Sequence, residues 1–400
     1  MSTLTLKDRV RKLRQTLADF WGRQSPDQRK RLTVGLLFFP LLAVGVLVFM
    51  VLPFFRSAGP AGNLKREVVL YTSADDAVVR LVVDRFQSST GITVKVVGDT
   101  EATKTFGLVA RLLEEKDRPR ADVWWASEPM GTVKLAQAGV LEPFANRNEK
   151  DIPGGWPAAL KGSDLRWYGF AQRARVIAHH STRVPRAMVP TKLRDLTQPR
   201  WRGKVGMAQP QFGTTRTHVA AIVVQAGPDA ARAWLEALRD NGVKIYPGNA
   251  SVVQAISVGE IELGLTDTDD VASAKRNGWA VDLVYETPDS ARDLQRLKPG
   301  ELKSFGPLVL PNTVSKVRGG PNPAPGAVLA EFLLSESVER DLASSESRNI
   351  PVRPSLQKQF SDLPVPSPAE VDFGSVAAAE AQAMQIIESV FGPAPQPGKP

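Results

Sequence analysis

The 400-residue sequence contains no cysteine. That excludes disulfides, thiolate metal sites, a cysteine nucleophile and a lipid-bearing N-terminal cysteine. It leaves the compartment open, because an oxidising environment does not oblige a chain to use cysteine. No P-loop, G-x-S-x-G or H-E-x-x-H pattern occurs, and no repeat of fixed period. Histidine is limited to His179, His180 and His218. Adjacent residues on a strand face opposite sides, so His179 and His180 form no strand-based metal pair. His218, just inside a helix, is expected at the surface.

The formal charge of +9 is unevenly placed. Residues 1–31 carry nine Lys or Arg against Asp8, Asp19 and Asp27. The remainder is close to balanced, which argues against a basic groove and a nucleic-acid partner. Leu32 to Phe55 has no charged side chain. At ~1.5 Å per residue such a segment spans a bilayer core of roughly 30 Å. Arg29, Lys30 and Arg31 precede it, so the expectation is a single-pass cytoplasmic-membrane anchor with the bulk exported. A cleaved signal peptide is the alternative, disfavoured by the length of the apolar run and the lack of an A-x-A site. Residues 1–31 read either as a basic amphipathic helix on the inner membrane face or as a basic leader, and 56–65 as a linker.

From EVVLYTS onward, strand and helix patterns alternate. DDAVVRLVVDRFQSSTG, TKTFGLVARLLEEK and EPMGTVKLAQAG read as helices between the strands EVVLYTS, ITVKVVG and ADVWWAS. This order implies a parallel sheet with helices on both faces. The strand ends are Thr72-Ser73, Asp99-Thr100-Glu101 and Ser127-Glu128. Ligands of open sheets bind there, although helix capping explains many such residues. WYGFAQRARVIAHHST follows as long extended chain, and then a second β/α region. VLAEFLLSESVERDLASS reads as one amphipathic helix, the stretch around 369–392 as helical, and PAPQPGKP as a tail. Trp124 and Trp125 are expected in the core.

GLTDTDD (264–270) places Asp267, Asp269 and Asp270 after an apolar run. On a strand 267 and 269 share a face, which makes an oxygen-rich site for a hard cation. Alternatively Thr268 or Asp269 caps a helix starting near Val271; one cap accounts poorly for three carboxylates. Gly213, Thr214 and Thr215 open a helix and suit an anion, or form a plain capping turn. Of Arg173 and Arg175, one is expected at the ligand and the other in solvent. Asn249 can bond a ligand or accept a turn conformation.

VVLYTSADD, GDTEATKTFGLVARLLEEKDRPRADVWWASEP, RARVIAHH, QPQFGTT, VKIYPGNASVVQAISVGEIELGLTDTDD and LVLPNTVSKVRGGPNPAPGAVLAEFLLS occur in that order. In these elements the chain resembles the periplasmic substrate-binding proteins of ABC importers, specifically the ferric-iron-binding type. The resemblance covers roughly 66–353 and implies an α/β, two-lobed type II periplasmic-binding-protein fold, here with an N-terminal transmembrane helix. Lobe 1 is expected at 66–172 and 285–360, lobe 2 at 173–284, and a C-terminal helix and tail at 361–400. It implies a monomer that captures one solute in the interlobe cleft and delivers it to an ABC permease, with no catalysis. The iron-binding members use two adjacent tyrosines where this chain has Asp269 and Asp270. Many add a histidine where this chain has Ser73 to Asp76, a glutamate, and a synergistic anion.

The site expected from motif and resemblance comprises Ser73, Thr100, Glu101, Thr103, Ser127, Glu128, Arg173, Gly213, Thr214, Thr215, Asn249 and Asp267, with Asp269, Asp270 and Glu101 as metal ligands. No cofactor is assigned beyond a bound ferric or divalent metal ion with a synergistic anion. The cargo is expected to be ferric or divalent metal with an anion, or a small anionic solute. A metal-dependent transferase using the aspartates and a tethered sensor are the alternatives. Missing motifs weigh against the transferase.

Overall fold

The computed structural model describes residues 67–99 and 106–393, with a few positions between 14 and 28. The chain divides into two compact units, Met1–Leu64 and Lys65–Pro400, and all the strands described belong to the second. Thr100, Glu101, Thr103 and the apolar segment 32–55 lie outside the described residues. The expected single-pass membrane location is corrected: no described helix is long and apolar enough to cross a membrane. The longest, at 15 residues, is amphipathic, where a span needs about 20 apolar residues.

The first half is β1 (Glu67–Thr72), α1 (Asp76–Thr90), β2 (Thr93–Gly98), α2 (Phe106–Glu114), β3 (Val123–Ala126), α3 (Pro129–Gln137) and β4 (Leu141–Glu142). Strand β1 lies parallel between β2 and β3. Its Val68 and Leu70 are fully buried, as are Trp124 and Trp125 on β3. The tryptophans take their expected core places, donating to Thr132 Oγ1 at 2.9 Å and Asn312 Oδ1 at 3.1 Å. Helix α1 buries Val79, Val82, Val83 and Phe86, and Gly91 ends it at φ 67°, a left-handed C-cap that glycine adopts without a Cβ clash.

Strand β5 (Tyr168–His180) is the first crossing between halves. The second half follows: β6 (Val205–Ala208), α4 (Gly213–Ala226), α5 (Pro228–Asp240), β7 (Lys244–Tyr246), α6 (Asn249–Ser257), β8 (Leu263–Asp267), α7 (Thr268–Arg276) and β9 (Val281–Val284). After α8 (Ala291–Leu294) the chain returns through β10 (Val309–Val317), α9 (Pro323–Leu333), α10 (Glu336–Ser344) and α11 (Pro354–Gln359), and ends in α12 (Phe373–Ala378) and α13 (Glu380–Phe391). The strand order is β2-β1-β3-β10-β5-β8-β6-β7, with β4 on β10 and β9 on β5. Strand β5 changes partner at its middle: residues up to Ala174 pair with β10, and Arg175 to His179 with β8. The return chain meets the same point, where Arg175 N–H donates to Leu308 O at 2.8 Å.

Two helix boundaries differ from the sequence reading. The single helix expected through VLAEFLLSESVERDLASS is two, because Ser335 accepts from Val338 N–H and caps α10. Helix α7 begins at Thr268 rather than near Val271. Helices α12 and α13 pack on α3 of the first half and on α4 and α5 of the second. Within this layer Thr217 Oγ1 donates to Glu128 Oε2 at 3.1 Å, and Arg216 pairs with Glu380.

Candidate functional site: a cleft between the two halves

A cavity of about 660 Å³ opens where the carboxyl ends of the strands in both halves converge. The first half contributes Asp75 and one face of α1, with Ser127; the second contributes Gly213 to Thr215, Asn249, Asp267, Asp269 and Asp270; the return segment adds Ser345 to Ser347. Arg173, on the crossing, stands between them. The halves thus bring together residues almost 200 positions apart, as the rule for open sheets anticipates.

The three aspartates of GLTDTDD do not act alike. Carboxylate oxygens of Asp267, Asp269 and Asp270 lie within 4.8 Å of one another. Asp267 ends β8 and is 2% exposed. Its Oδ1 accepts from Arg175 Nη1 at 2.8 Å. Its Oδ2 accepts from Thr214 Oγ1 at 2.7 Å, Asn249 Nδ2 at 2.9 Å and Arg173 Nε at 3.1 Å. Four donors thus converge on one carboxylate, three of them on Oδ2. Burial opposes its ionisation, but Arg175 and Arg173 outweigh burial and hold the carboxyl below its usual range. Asp267 is therefore the anchor of the site's walls. It makes no side-chain cap bond to α7, so capping does not account for it either.

Asp269 and Asp270 sit in the first turn of α7, where the helix dipole favours negative charge. They are not strand residues, and the expected shared strand face with Asp267 does not form. Asp270 Oδ2 accepts from Thr266 Oγ1 at 3.1 Å. Burial lifts the Asp269 carboxyl to about 6; Arg173, 3.7 Å away, opposes this, while Asp267 and Asp75 add to it. Arg173 is buried, yet Asp269 and Asp267 keep its guanidinium firmly charged. Thr268 Oγ1 accepts from Ala174 N–H at 3.1 Å, which ties the start of α7 to the crossing.

Beside the aspartates the cavity is lined by the N-terminus of α4. Gly213 adopts φ 54°, and Phe212 provides no side-chain cap. First-turn N–H groups have no partner within their own helix. Thr214 spends its hydroxyl on Asp267. Thr215 lies 3% exposed, lines the cavity, and its Oγ1 has no hydrogen-bond partner.

Several expectations are corrected. Glu128 does not line the cavity: its carboxylate accepts from Met130 N–H at 2.7 Å and Gly131 N–H at 3.1 Å, capping α3. Ser73 is buried beneath it, 3.3 Å from Ser127 Oγ. Arg175 is not in solvent but 3% exposed behind the wall, bound to Asp267, Thr214 and Asn249. His218 is buried, not superficial, and burial with Arg175 nearby pushes its pKa down to about 3. His179 and His180 bond Val184 O and Thr182 Oγ1, away from the cleft. Asp75 was missed as a site residue. The signal was available, since it follows the end of β1 just as Asp269 follows β8.

A family model described as bacterial extracellular solute-binding protein matches residues 82–367. The major ferric iron-binding protein of Neisseria meningitidis is 28% identical over 200 residues, 50% of this chain and 58% of that protein. Iron uptake protein A1 of Synechocystis sp. is 25% identical over 294 residues, 70% of this chain and 74% of that one. The chain thus spans less than two thirds of the Neisseria relative's length. Iron-bound HitA from Pseudomonas aeruginosa superposes with a TM-score of 0.68 at 24% identity, covering 81% of this chain and 99% of that one. Apo ferric ion-binding protein A from Pasteurella haemolytica gives 0.70 at 20% identity, covering 81% and 98%. These likenesses bear out the expected two-lobed periplasmic-binding-protein fold. With the match spanning well over half of its length, the chain belongs to the family of bacterial extracellular solute-binding proteins.

Proposed function

We propose that this chain is the solute-capturing component of an ABC importer. It encloses one small solute between its halves and presents it to a membrane permease, making and breaking no covalent bond. The observation that supports this most is the cavity itself, whose walls come from both halves, with the chain crossing between them at Ala174-Arg175 and returning beside that point at Leu308. Two segments crossing at one point are the arrangement of a hinge.

The lining defines what the solute must carry. Five carboxylates, Asp75, Asp267, Asp269, Asp270 and Glu346, face it against the guanidiniums of Arg173 and Arg276. Around the anchored Asp267, Asp75, Asp269 and Asp270 form a pole for positive charge. Gly213 to Thr215 form a pole for negative charge. A metal ion travelling with an anion meets both demands, and the relatives named for ferric iron favour that cargo. One organic molecule carrying both charges meets them as well. None of the four tyrosines lines the cavity. Oxygen ligation of a metal here would rest on Asp269 and Asp270, not on phenolates.

Calorimetric titration of the full chain with ferric citrate, manganese with phosphate, and small organic ions tests the reading. It expects one saturable site per chain that is weakened at least about tenfold by Asp269→Ala, the loss of one charge-assisted contact. Binding untouched by Asp269→Ala and by Thr215→Val would place the cargo elsewhere and contradict it.

A further inference from the structure

The cavity holds more than its two charged poles. Ala77, Val78 and Leu81 of α1 form one wall, and Leu81 is 41% exposed. Phe212, Pro247 and Ala250 line the same space from the second half. Apolar side chains turned toward each other across a cleft gain free energy when a hydrocarbon body displaces water between them. A metal ion with a small anion gains nothing from such walls. The volume of about 660 Å³ also falls within the roughly 300–1,000 Å³ of clefts that bury organic ligands.

The charges accommodate the same choice. Arg173 Nε lies 3.1 Å from Asp267 and 3.7 Å from Asp269, so a fixed guanidinium already stands among the carboxylates. A cation added at Asp269 and Asp270 meets its repulsion together with the attraction of the carboxylates, and both grow in proportion to the charge added. In the first turn of the 14-residue helix α4, Thr215 lines the cavity and its buried hydroxyl is unpartnered. A buried hydroxyl without a partner costs free energy that a ligand acceptor recovers.

We propose that the cargo is a single aliphatic molecule with an ammonium group at one end and an acid group at the other. The ammonium sits on Asp269 and Asp270. The methylene body lies between Val78 and Leu81 on one side and Phe212 on the other. The acid group accepts from Thr215 Oγ1 and the first-turn N–H groups of α4. This rests on the reading of the cleft as an importer's solute site.

The test is calorimetry on the full chain with four sets of compounds. The first is ω-amino carboxylic acids of three to six carbons with their phosphonic counterparts, which also separates the two acid types. The second and third are the alkylamines and the alkanoic acids of equal length. The fourth is ferric citrate and manganese with phosphate. The expected result is one two-headed compound binding at least about tenfold more tightly than either single-headed compound of its length. Asp270→Asn should then remove the advantage of the amine, and Thr215→Val that of the acid, each leaving the thermal midpoint of the ligand-free chain nearly unchanged. Equal affinity for single-headed compounds overturns the proposal. So does binding confined to the metal set, which leaves the importer reading standing. Failure of all four sets overturns both.

Discussion

At the scale of residues, Asp267 organises the walls of the site. Four donors from β5, α4 and α6 converge on it. Removing one member of a buried, hydrogen-bonded charge pair leaves uncompensated charge, typically at a cost of about 3–5 kcal/mol. Asp267→Ala should lower stability by about that amount in urea unfolding, whereas Asp269→Ala, partly exposed beside the cavity, should cost far less. A second buried carboxyl predicts a pH dependence. Burial pushes Glu286 up to about 8, with Asp289 adding to the effect. The unfolded chain loses this proton near the ordinary glutamate pKa, and the folded chain only near 8. Between those values the folded state binds more protons, so this group's contribution to stability falls as pH rises. Glu286→Gln should therefore be nearly neutral at pH 4 and stabilise the chain by more than about 1.4 kcal/mol at pH 9, read from thermal unfolding across pH. Asp269 and Asp270 were legible as site candidates because unbalanced charge after a buried strand is visible locally. The role of Asp267 was not, because its arginine partners lie 92 and 94 positions away in sequence.

At the scale of elements, hydrophobic periodicity revealed the β/α alternation and the long crossing strand. It failed where one periodic stretch holds two helices. The apolar spacing runs unbroken through 328–342, and only the Ser335 hydroxyl marks the boundary. Ser335→Ala should cost about 1 kcal/mol, the usual worth of an N-cap, measured by urea unfolding. The last two helices are more than a tail. Ile387 is fully buried in the core shared with Trp124 of the first half and Trp234 of the second. Ile387→Ala should destabilise by about 2–5 kcal/mol. If α12 and α13 merely decorated the surface, the change would fall within about 0.5 kcal/mol. The periodicity of AEAQAMQIIESVF shows a helix, but not that its apolar face joins both halves.

At the scale of the whole molecule, two β/α halves are connected by strand β5 and the return into β10, with the C-terminal helices behind them. This architecture was readable from the order of elements and from the family motifs that accompany it. The cleft's lining was readable only in part: Asp75 and the apolar face of α1 matter because folding carries them across to α7 and α4, a long-range fact no local pattern contains. The most direct measurement is hydrogen exchange of the full chain with and without whichever compound calorimetry shows to bind. The account predicts added protection at 75–81, 212–216, 248–250 and 267–273, the cleft-facing segments of both halves together. Protection confined to one half, or gathered at the separate cavity beside Tyr285 and Leu363, would contradict it.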